Sequence, residues 1–120
     1  MNIVILRGRL SSAPVLRPLA SGSVLISLEL TTLADDGAQV SVPVAWFDPG
    51  FAPEWGAGTE LAVTGVVKRR FFRSGGVTQT RTEVVATEVV ETSKRRQVQR
   101  MLARMADRLG EHEGSALRSI

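Results

Sequence analysis

The fold of this chain is decided by residues 59–91, which read TELAVTGVVKRRFFRSGGVTQTRTEVVATEVVE. β-Branched residues, which favour strands, recur along the stretch, and Ser74-Gly75-Gly76 interrupts them with the residue types of a tight turn. We therefore predict two strands joined as a hairpin, one from Thr59 to Phe72 and one from Val77 to about Glu91.

Three more strands are expected before this hairpin. Strand-like patterns cover residues 2–11, 23–33 and 38–47, separated by a loop with Pro14 and Pro18 and by the hairpin signal Asp35-Asp36-Gly37. Residues 48–58 are rich in Pro and Gly and leave room for at most one short helix. Five short strands with such turns predict an all-β, five-stranded barrel, because closure removes exposed sheet edges.

The sequence changes period at Lys94. Apolar residues then recur at helical spacing, as Val98, Met101, Leu102, Met105, Ala106 and Leu109. The opposite side carries a row of arginines, Arg96, Arg100, Arg104 and Arg108. We predict a barrel domain over residues 1–93, a basic amphipathic helix over 94–110 that ends at Gly110, and a frayed tail over 111–120. The apolar stripe must be covered by the chain's own barrel, by another subunit or by a separate partner.

The composition indicates a small globular protein without a catalytic site. With 120 residues, 43% of them hydrophobic, the chain is long enough for one domain with a core. It has no cysteine, and its only histidine, His112, lies between two glutamates in the polar tail. No apolar run reaches the roughly 18 residues of a membrane span, and no signal peptide is visible. We expect a cytoplasmic protein that is not an enzyme, holds no metal or cofactor and does not contact membranes.

The charges are unevenly distributed. Residues 1–93 hold eight Lys/Arg and nine Asp/Glu, a net charge of −1, while residues 94–120 hold seven and three, a net charge of +4. Within the barrel domain the basic residues cluster at Arg7 and Arg9 and again between Lys68 and Arg73. Such local clusters matter more to a polyanionic partner than the total charge does.

The stretch from Val66 to Arg73 is the strongest candidate for a binding site. On a strand, one face would carry Lys68, Arg70 and Phe72, and the other Val67, Arg69 and Phe71. The second face continues from Leu61 and Val63, so we predict that it faces the core. Cations beside an exposed ring suit a single-stranded nucleic acid, whose phosphates they neutralise and whose bases stack on the ring. The alternative is a charged strand end with one partly buried phenylalanine.

All six aromatic residues lie between residues 46 and 72. Adjacent Trp46 and Phe47 cannot both point into the barrel, so we expect one of them to be exposed or to cap a rim. Trp55 has two interpretations, a plug at the end of the barrel or a platform for DNA bases, and the plug is favoured.

Several segments together resemble the bacterial single-stranded DNA-binding protein family. Residues 1–10 look like its opening strand, and Pro14-Val15-Leu16-Arg17 looks like the loop that follows. Val44-Ala45-Trp46 is similar to the aromatic end of its third strand, and Thr82-Glu83-Val84-Val85 is similar to a motif of its fifth strand. The resemblance covers about residues 1–91 and rests on the order and spacing of these pieces.

This resemblance implies an OB-fold barrel, assembled as a homotetramer or a dimer. It implies binding of single-stranded DNA with little sequence preference, in replication, recombination or repair, and hence a nucleoid-associated location. It places Trp46 at a base contact and Phe72 at a stacking platform. With the residues singled out above, the expected nucleic-acid-binding set is Arg7, Arg9, Trp46, Trp55, Lys68, Arg70, Phe72 and Arg73.

Departures from the family pattern indicate a divergent or accessory member. Val40 stands where the family has a tryptophan, and Pro49 and Pro53 disrupt the family's helix between strands three and four. Residues 115–120 lack the family's acidic, partner-recruiting tip. The alternative function is therefore an OB-fold accessory or scaffold protein, primosome-like, acting mainly through protein partners. RNA stays an alternative ligand because stacking and phosphate contacts do not sense the 2′-hydroxyl.

Overall fold

Six β-strands followed by one helix build residues 1–118, the part of the chain that this computed structural model describes, with side chains described as far as Glu111. The elements are β1 (Val4–Leu10), β2 (Val15–Pro18), β3 (Val24–Leu33), β4 (Gln39–Phe47), β5 (Glu60–Ser74), β6 (Val77–Glu91) and α1 (Arg95–Arg118). The five predicted strands are all present, close to their expected bounds, as β1, β3, β4, β5 and β6.

The strands close into a barrel. Hydrogen-bonded neighbours follow the order β1-β5-β6-β4-β3-β2, and a further pairing of β1 with β3, which includes Arg9 opposite Thr31, closes the sheet. All pairings are antiparallel except that of β4 with β6, which is parallel at residues 44–45 and 84–85. Five strands thus form a mixed barrel and β2 is an additional edge strand, which confirms the predicted all-β barrel with a C-terminal helix.

The core follows from the alternation along each strand. On β3, Ile26, Leu28 and Leu30 are 2% exposed or less, whereas Ser27 and Glu29 lie on the other face. Each fully buried aliphatic side chain contributes roughly 1.5–3 kcal/mol relative to exposure. The same cluster contains Leu10, Val44, Trp46, Leu61, Val63, Val84 and Val89.

Two glycines permit close approach of strands in the barrel wall. A Cβ on Gly8 would collide with the carbonyl oxygen of Thr31, and one on Gly65 would collide with that of Val85. The register of β5 with β6 shifts next to Gly65, which is the signature of a β-bulge. Bulges bend and twist the paired strands, so the β5–β6 hairpin changes direction at this point.

Residues 15–18 form a strand where the sequence predicted a loop. They pair antiparallel with β3, with Val15 opposite Ser27. Pro18 ends this edge strand, where a missing N–H disturbs no central ladder. The pairing is a short local hairpin that turns at residues 19–22, and the sequence analysis missed it because Pro14 and Pro18 are typical of a loop. Between β4 and β5 the backbone contains no helix, in line with the prolines of that segment.

The helix packs on the outer side of β5 and β6. Met101 and Met105 are 0% and 5% exposed, and Arg104 donates hydrogen bonds to the carboxylate of Glu88 on β6. The chain's own barrel therefore covers the centre of the apolar stripe, whereas Leu102 stays 42% exposed.

The helix also runs further than predicted. Its backbone continues through Gly110 to Arg118, so it does not end at Gly110, and the tail predicted over 111–120 is helical backbone as far as Arg118. A glycine inside a helix costs about 1 kcal/mol relative to alanine. This cost is too small to end the helix at Gly110, because helical residues continue on both sides of it. Ser119 and Ile120 lie outside the described residues.

Candidate nucleic-acid interface

The β5–β6 hairpin extends beyond the barrel, and we call its exposed residues 68–82 the arm. Its two strands stay paired up to the turn, where Ser74 lies opposite Val77. At the base of the arm, the side-chain amide of Asn2 donates to the carbonyl oxygen of Val67 at 2.7 Å and accepts from its N–H at 2.9 Å. These two hydrogen bonds attach the root of the arm to the barrel.

One face of the arm, which we call the outer face, carries Lys68, Arg70 and Phe72, the three residues that the strand alternation predicted to lie together. Residues directly opposite each other share a face of a strand pair. The outer face therefore contains Lys68, Arg70 and Phe72 with their opposite partners Glu83, Arg81 and Gln79. Phe72 is 41% exposed, so part of its ring is accessible for stacking.

Arg70 is oriented by a nearly buried carboxylate. Its Nε lies 3.6 Å from Oε1 of Glu83, whose side chain is 9% exposed, while half of the Arg70 side chain stays exposed. A guanidinium has five N–H donors, so one carboxylate partner leaves donors for a phosphate. At 3.6 Å this ion pair is longer than a direct hydrogen bond, and its main consequence is the direction in which Arg70 points.

The outer face of the arm is one wall of a groove that crosses the sheet, which we call the arm groove. Ser27 of β3 and Ala45 of β4 lie opposite each other on its floor, and Val15 and Arg17 of β2 form the far wall. The charged residues that line the groove are Arg17, Glu29, Arg70, Arg81 and Glu83. Small floor residues leave room for an extended strand, and the three arginines outnumber the two glutamates, which favours a polyanion.

Three residues of this surface are absent from the predicted set. Arg17 was missed because β2 was expected to be a loop, and Arg81 because it stands alone between two threonines, outside any basic cluster of the sequence. Phe47 is 43% exposed and lies opposite the groove residue Leu25. The sequence did indicate an exposed aromatic residue here, because either Phe47 or the adjacent Trp46 had to point outward.

Trp46 lies in the core, against the prediction that it contacts bases. It is 6% exposed and belongs to the same inward row of β4 as Val44. Its ring is stacked parallel to Trp55 at 5.8 Å between centroids, and it meets the edge of Phe51 at 5.6 Å. Because neighbouring rings cover it, Trp46 has no face left for a base.

Trp55 matches the plug interpretation more closely than the platform. It is half-buried, packs against the core through Trp46, and its Nε1 donates to Oε1 of Glu91 at 3.0 Å. A satisfied indole N–H and a covered ring face are typical of a structural aromatic residue.

Arg7 and Arg9 lie in a different cleft, next to Thr31 and Leu33 at the barrel closure. Arg7 donates from Nε to Oε1 of Glu60 at 2.7 Å, and Arg9 approaches the other oxygen at 3.5 Å. The pKa of Glu60 is lowered from its ordinary value, first by the hydrogen bond from Arg7 and then by one from Thr92. Both arginines are therefore engaged by a carboxylate, although their side chains are largely exposed.

Arg73 lies on the opposite face of the arm from Lys68, Arg70 and Phe72. It stands opposite Thr78 and shares its face with Phe71. The structure thus divides the predicted basic cluster between two faces. Among the described residues, no helix is long and apolar enough to cross a membrane, and no three His, Cys, Asp or Glu side chains lie together as metal ligands would.

The closed mixed barrel, its extra strand and its single C-terminal helix define this chain as an OB-fold protein. No family model and no curated protein matches its sequence. Among solved structures it is similar to the dimeric N-terminal domain of the PriB protein from Thermoanaerobacter tencongensis, with a TM-score of 0.57 and 15% sequence identity. The alignment covers 75% of this chain and 94% of that one. At this identity the likeness shows the fold, and it confirms the predicted OB barrel.

Proposed function

We propose that this chain binds single-stranded DNA with little sequence preference, through the arm groove, in replication, recombination or repair. The observation that carries the proposal is the joining of exposed Phe72 and three groove arginines, Arg17, Arg70 and Arg81, on one continuous face. The sequence resemblance is the ground for membership of the single-stranded DNA-binding protein family, and this membership is part of the same proposal.

The chemistry of this face suits bases and phosphates alike. Stacking on an aromatic ring contributes roughly 1–3 kcal/mol per base and accepts every base, since each has a π-face. Phe72 on the arm and Phe47 on β4 supply such rings. Lys68 and the groove arginines would neutralise phosphates, and releasing counterions from them makes binding sensitive to salt. Neither interaction reads base edges, so little sequence preference is expected.

An oligomer is part of the proposal, either a tetramer or a dimer. Within the described residues, Val4 to Gly8 of β1 pair with β5 on one side, whereas the pairing of β1 with β3 begins only at Arg9. This leaves one edge of β1 open, and an open edge is a ready site for pairing with another chain. The similar PriB domain is dimeric.

The second candidate function is an accessory protein that acts through protein partners. One observation favours it: a cleft between α1 and β1 is lined by apolar side chains, among them Ile5, Val98 and Leu102. Ile5 and Leu102 are 51% and 42% exposed. If the chain acts in this way, Arg7 and Arg9 stabilise the fold through their ion pairs with Glu60 and do not bind a ligand.

The proposal is tested by the fluorescence anisotropy of a labelled oligo-dT. Intrinsic tryptophan emission is a poor probe here, because Trp46 and Trp55 stack on each other away from the groove. Replacing Phe72 by Ala should weaken binding by roughly 1–3 kcal/mol, or about 5- to 150-fold. Leu109→Ala, which removes an exposed apolar side chain from α1, is the control. If the full chain does not bind oligo-dT at low salt, or if Phe72→Ala binds as tightly as the wild type, the proposal fails.

A further inference from the structure

The face of the arm opposite the outer face, which we call the inner face, is exposed to solvent. It carries Arg69, Phe71 and Arg73 on β5, and the residues opposite them are Thr82, Thr80 and Thr78 on β6. The same face of β5 begins inside the barrel, where Leu61 and Val63 are fully buried. The sequence therefore predicted a core face, but the arm outruns the barrel, and Phe71 is 66% exposed.

The charge of the inner face favours an anionic occupant. Between Glu60 and Glu83 the sequence has no Asp or Glu, so no carboxylate lies on this face beyond the barrel. Arg69 and Arg73 flank Phe71 at two residues on either side, which places each about 7 Å from it along the strand. Three threonine hydroxyls complete the surface, and hydroxyls commonly donate to phosphate oxygens.

A second copy of the chain is a poor occupant of this face. Symmetric packing of two inner faces would bring four guanidinium groups together, and the inner face offers no carboxylate to compensate them. Like charges directly opposed across strands are destabilising. A polyanion that also has stackable rings removes this repulsion and covers Phe71 at once.

We propose that the inner face is a second binding surface for single-stranded DNA, so that one arm contacts two strand segments, one on each face. This inference rests on the proposed function of the arm groove and extends it. Phe72 serves the outer segment and Phe71 the inner one. Adjacent phenylalanines then have separate ligands, because neighbouring residues of a strand point to opposite faces.

The test counts short oligonucleotides per protomer. The probe is an oligo-dT of about five nucleotides, near the lower end of the site sizes that one OB barrel covers, titrated into the full chain and followed by calorimetry and native mass spectrometry. We expect two oligonucleotides per protomer. Phe71→Ala should weaken one of the two sites about 5- to 150-fold and leave the other within twofold, and Phe72→Ala should do the reverse.

Two controls keep the result interpretable. Leu109→Ala should keep both sites, and unfolding midpoints of all variants should agree, since each replaced side chain is exposed. Replacing Arg69 and Arg73 together by Gln should lower the salt slope of the Phe71-dependent site by about 1.4, at about 0.7 per phosphate contact.

Each other outcome overturns the inference in a distinguishable way. One oligonucleotide per protomer, lost in Phe72→Ala and kept in Phe71→Ala, would refute the second surface but leave the arm groove standing. A change of oligomeric mass in Phe71→Ala without a change in stoichiometry would make the inner face an interface between copies. No oligonucleotide bound at all would refute the proposed function together with the inference.

Discussion

Trp46 and Phe47 are adjacent on β4, yet the structure assigns them opposite roles, and their alanine variants should separate stability from binding. Trp46 is 6% exposed and stacks on Trp55, so Trp46→Ala removes a large buried ring and two aromatic contacts. Deletions of this kind cost about 3–5 kcal/mol. Since small domains are stable by about 5–15 kcal/mol in total, much of the stability would be lost.

Phe47→Ala is the matched variant, because Phe47 is 43% exposed and sits beside the arm groove. Its unfolding free energy should change by less than about 1 kcal/mol, whereas its affinity for oligo-dT should fall by roughly 1–3 kcal/mol. The assay pairs urea unfolding with anisotropy titrations, both corrected for the folded fraction. A Trp46→Ala protein of unchanged stability and reduced affinity would refute the reasoning and restore the base contact that the sequence resemblance implied.

Three further predictions test other parts of the structure. Glu60→Gln should free Arg7 and Arg9 yet leave the affinity for oligo-dT and its salt slope unchanged, as should Glu54→Gln, because both arginines lie in a cleft separate from the arm groove; a higher affinity in Glu60→Gln alone would add that cleft to the DNA-binding surface. The pKa of Glu60 in the folded state lies below its ordinary value of 4.5, so its ion pair stabilises the fold above pH 4.5 and is lost as the pH falls through the lowered pKa. The unfolding free energy should therefore decrease less on acidification in Glu60→Gln than in the wild type. Met101→Ala should cost about 2–5 kcal/mol in urea unfolding, because the side chain is fully buried under the helix. An unchanged stability would show that α1 does not rest on the barrel.

The sequence was sufficient wherever local alternation decides the structure. Strand period two placed Lys68, Arg70 and Phe72 on one face, and it required either Trp46 or Phe47 to point outward. It could not decide which of that pair is buried, because both residues are large and apolar. The pairing of β4 with β3 and β6 determines which of the two is buried, because it sets which residues of β4 face the core.

Non-local geometry accounts for most of the remaining errors. Alternation shows which residues share a face but not where the barrel ends, so Phe71 was assigned to a core that stops before it. Glu60 engages Arg7 from 53 residues away in the sequence, which no local pattern reveals. The error at Arg17 is local instead: residues 15–18 form a hairpin with β3 that brings Arg17 to the arm groove, whereas the prolines of this segment predicted a loop.

The arm groove is tested most directly by the salt dependence of oligo-dT binding in a triple variant, Arg17→Gln, Arg70→Gln and Arg81→Gln. Glutamine keeps a donor for Glu83, so the fold should be retained. The account predicts that the slope of log affinity against log salt falls by about 2.1, at about 0.7 per lost phosphate contact. The matched control removes the same charge from exposed positions of α1, Arg96, Arg100 and Arg108, and should change the slope much less. An unchanged slope in the groove variant, or an equal change in the helix variant, would contradict the assignment of this groove as the DNA-binding surface.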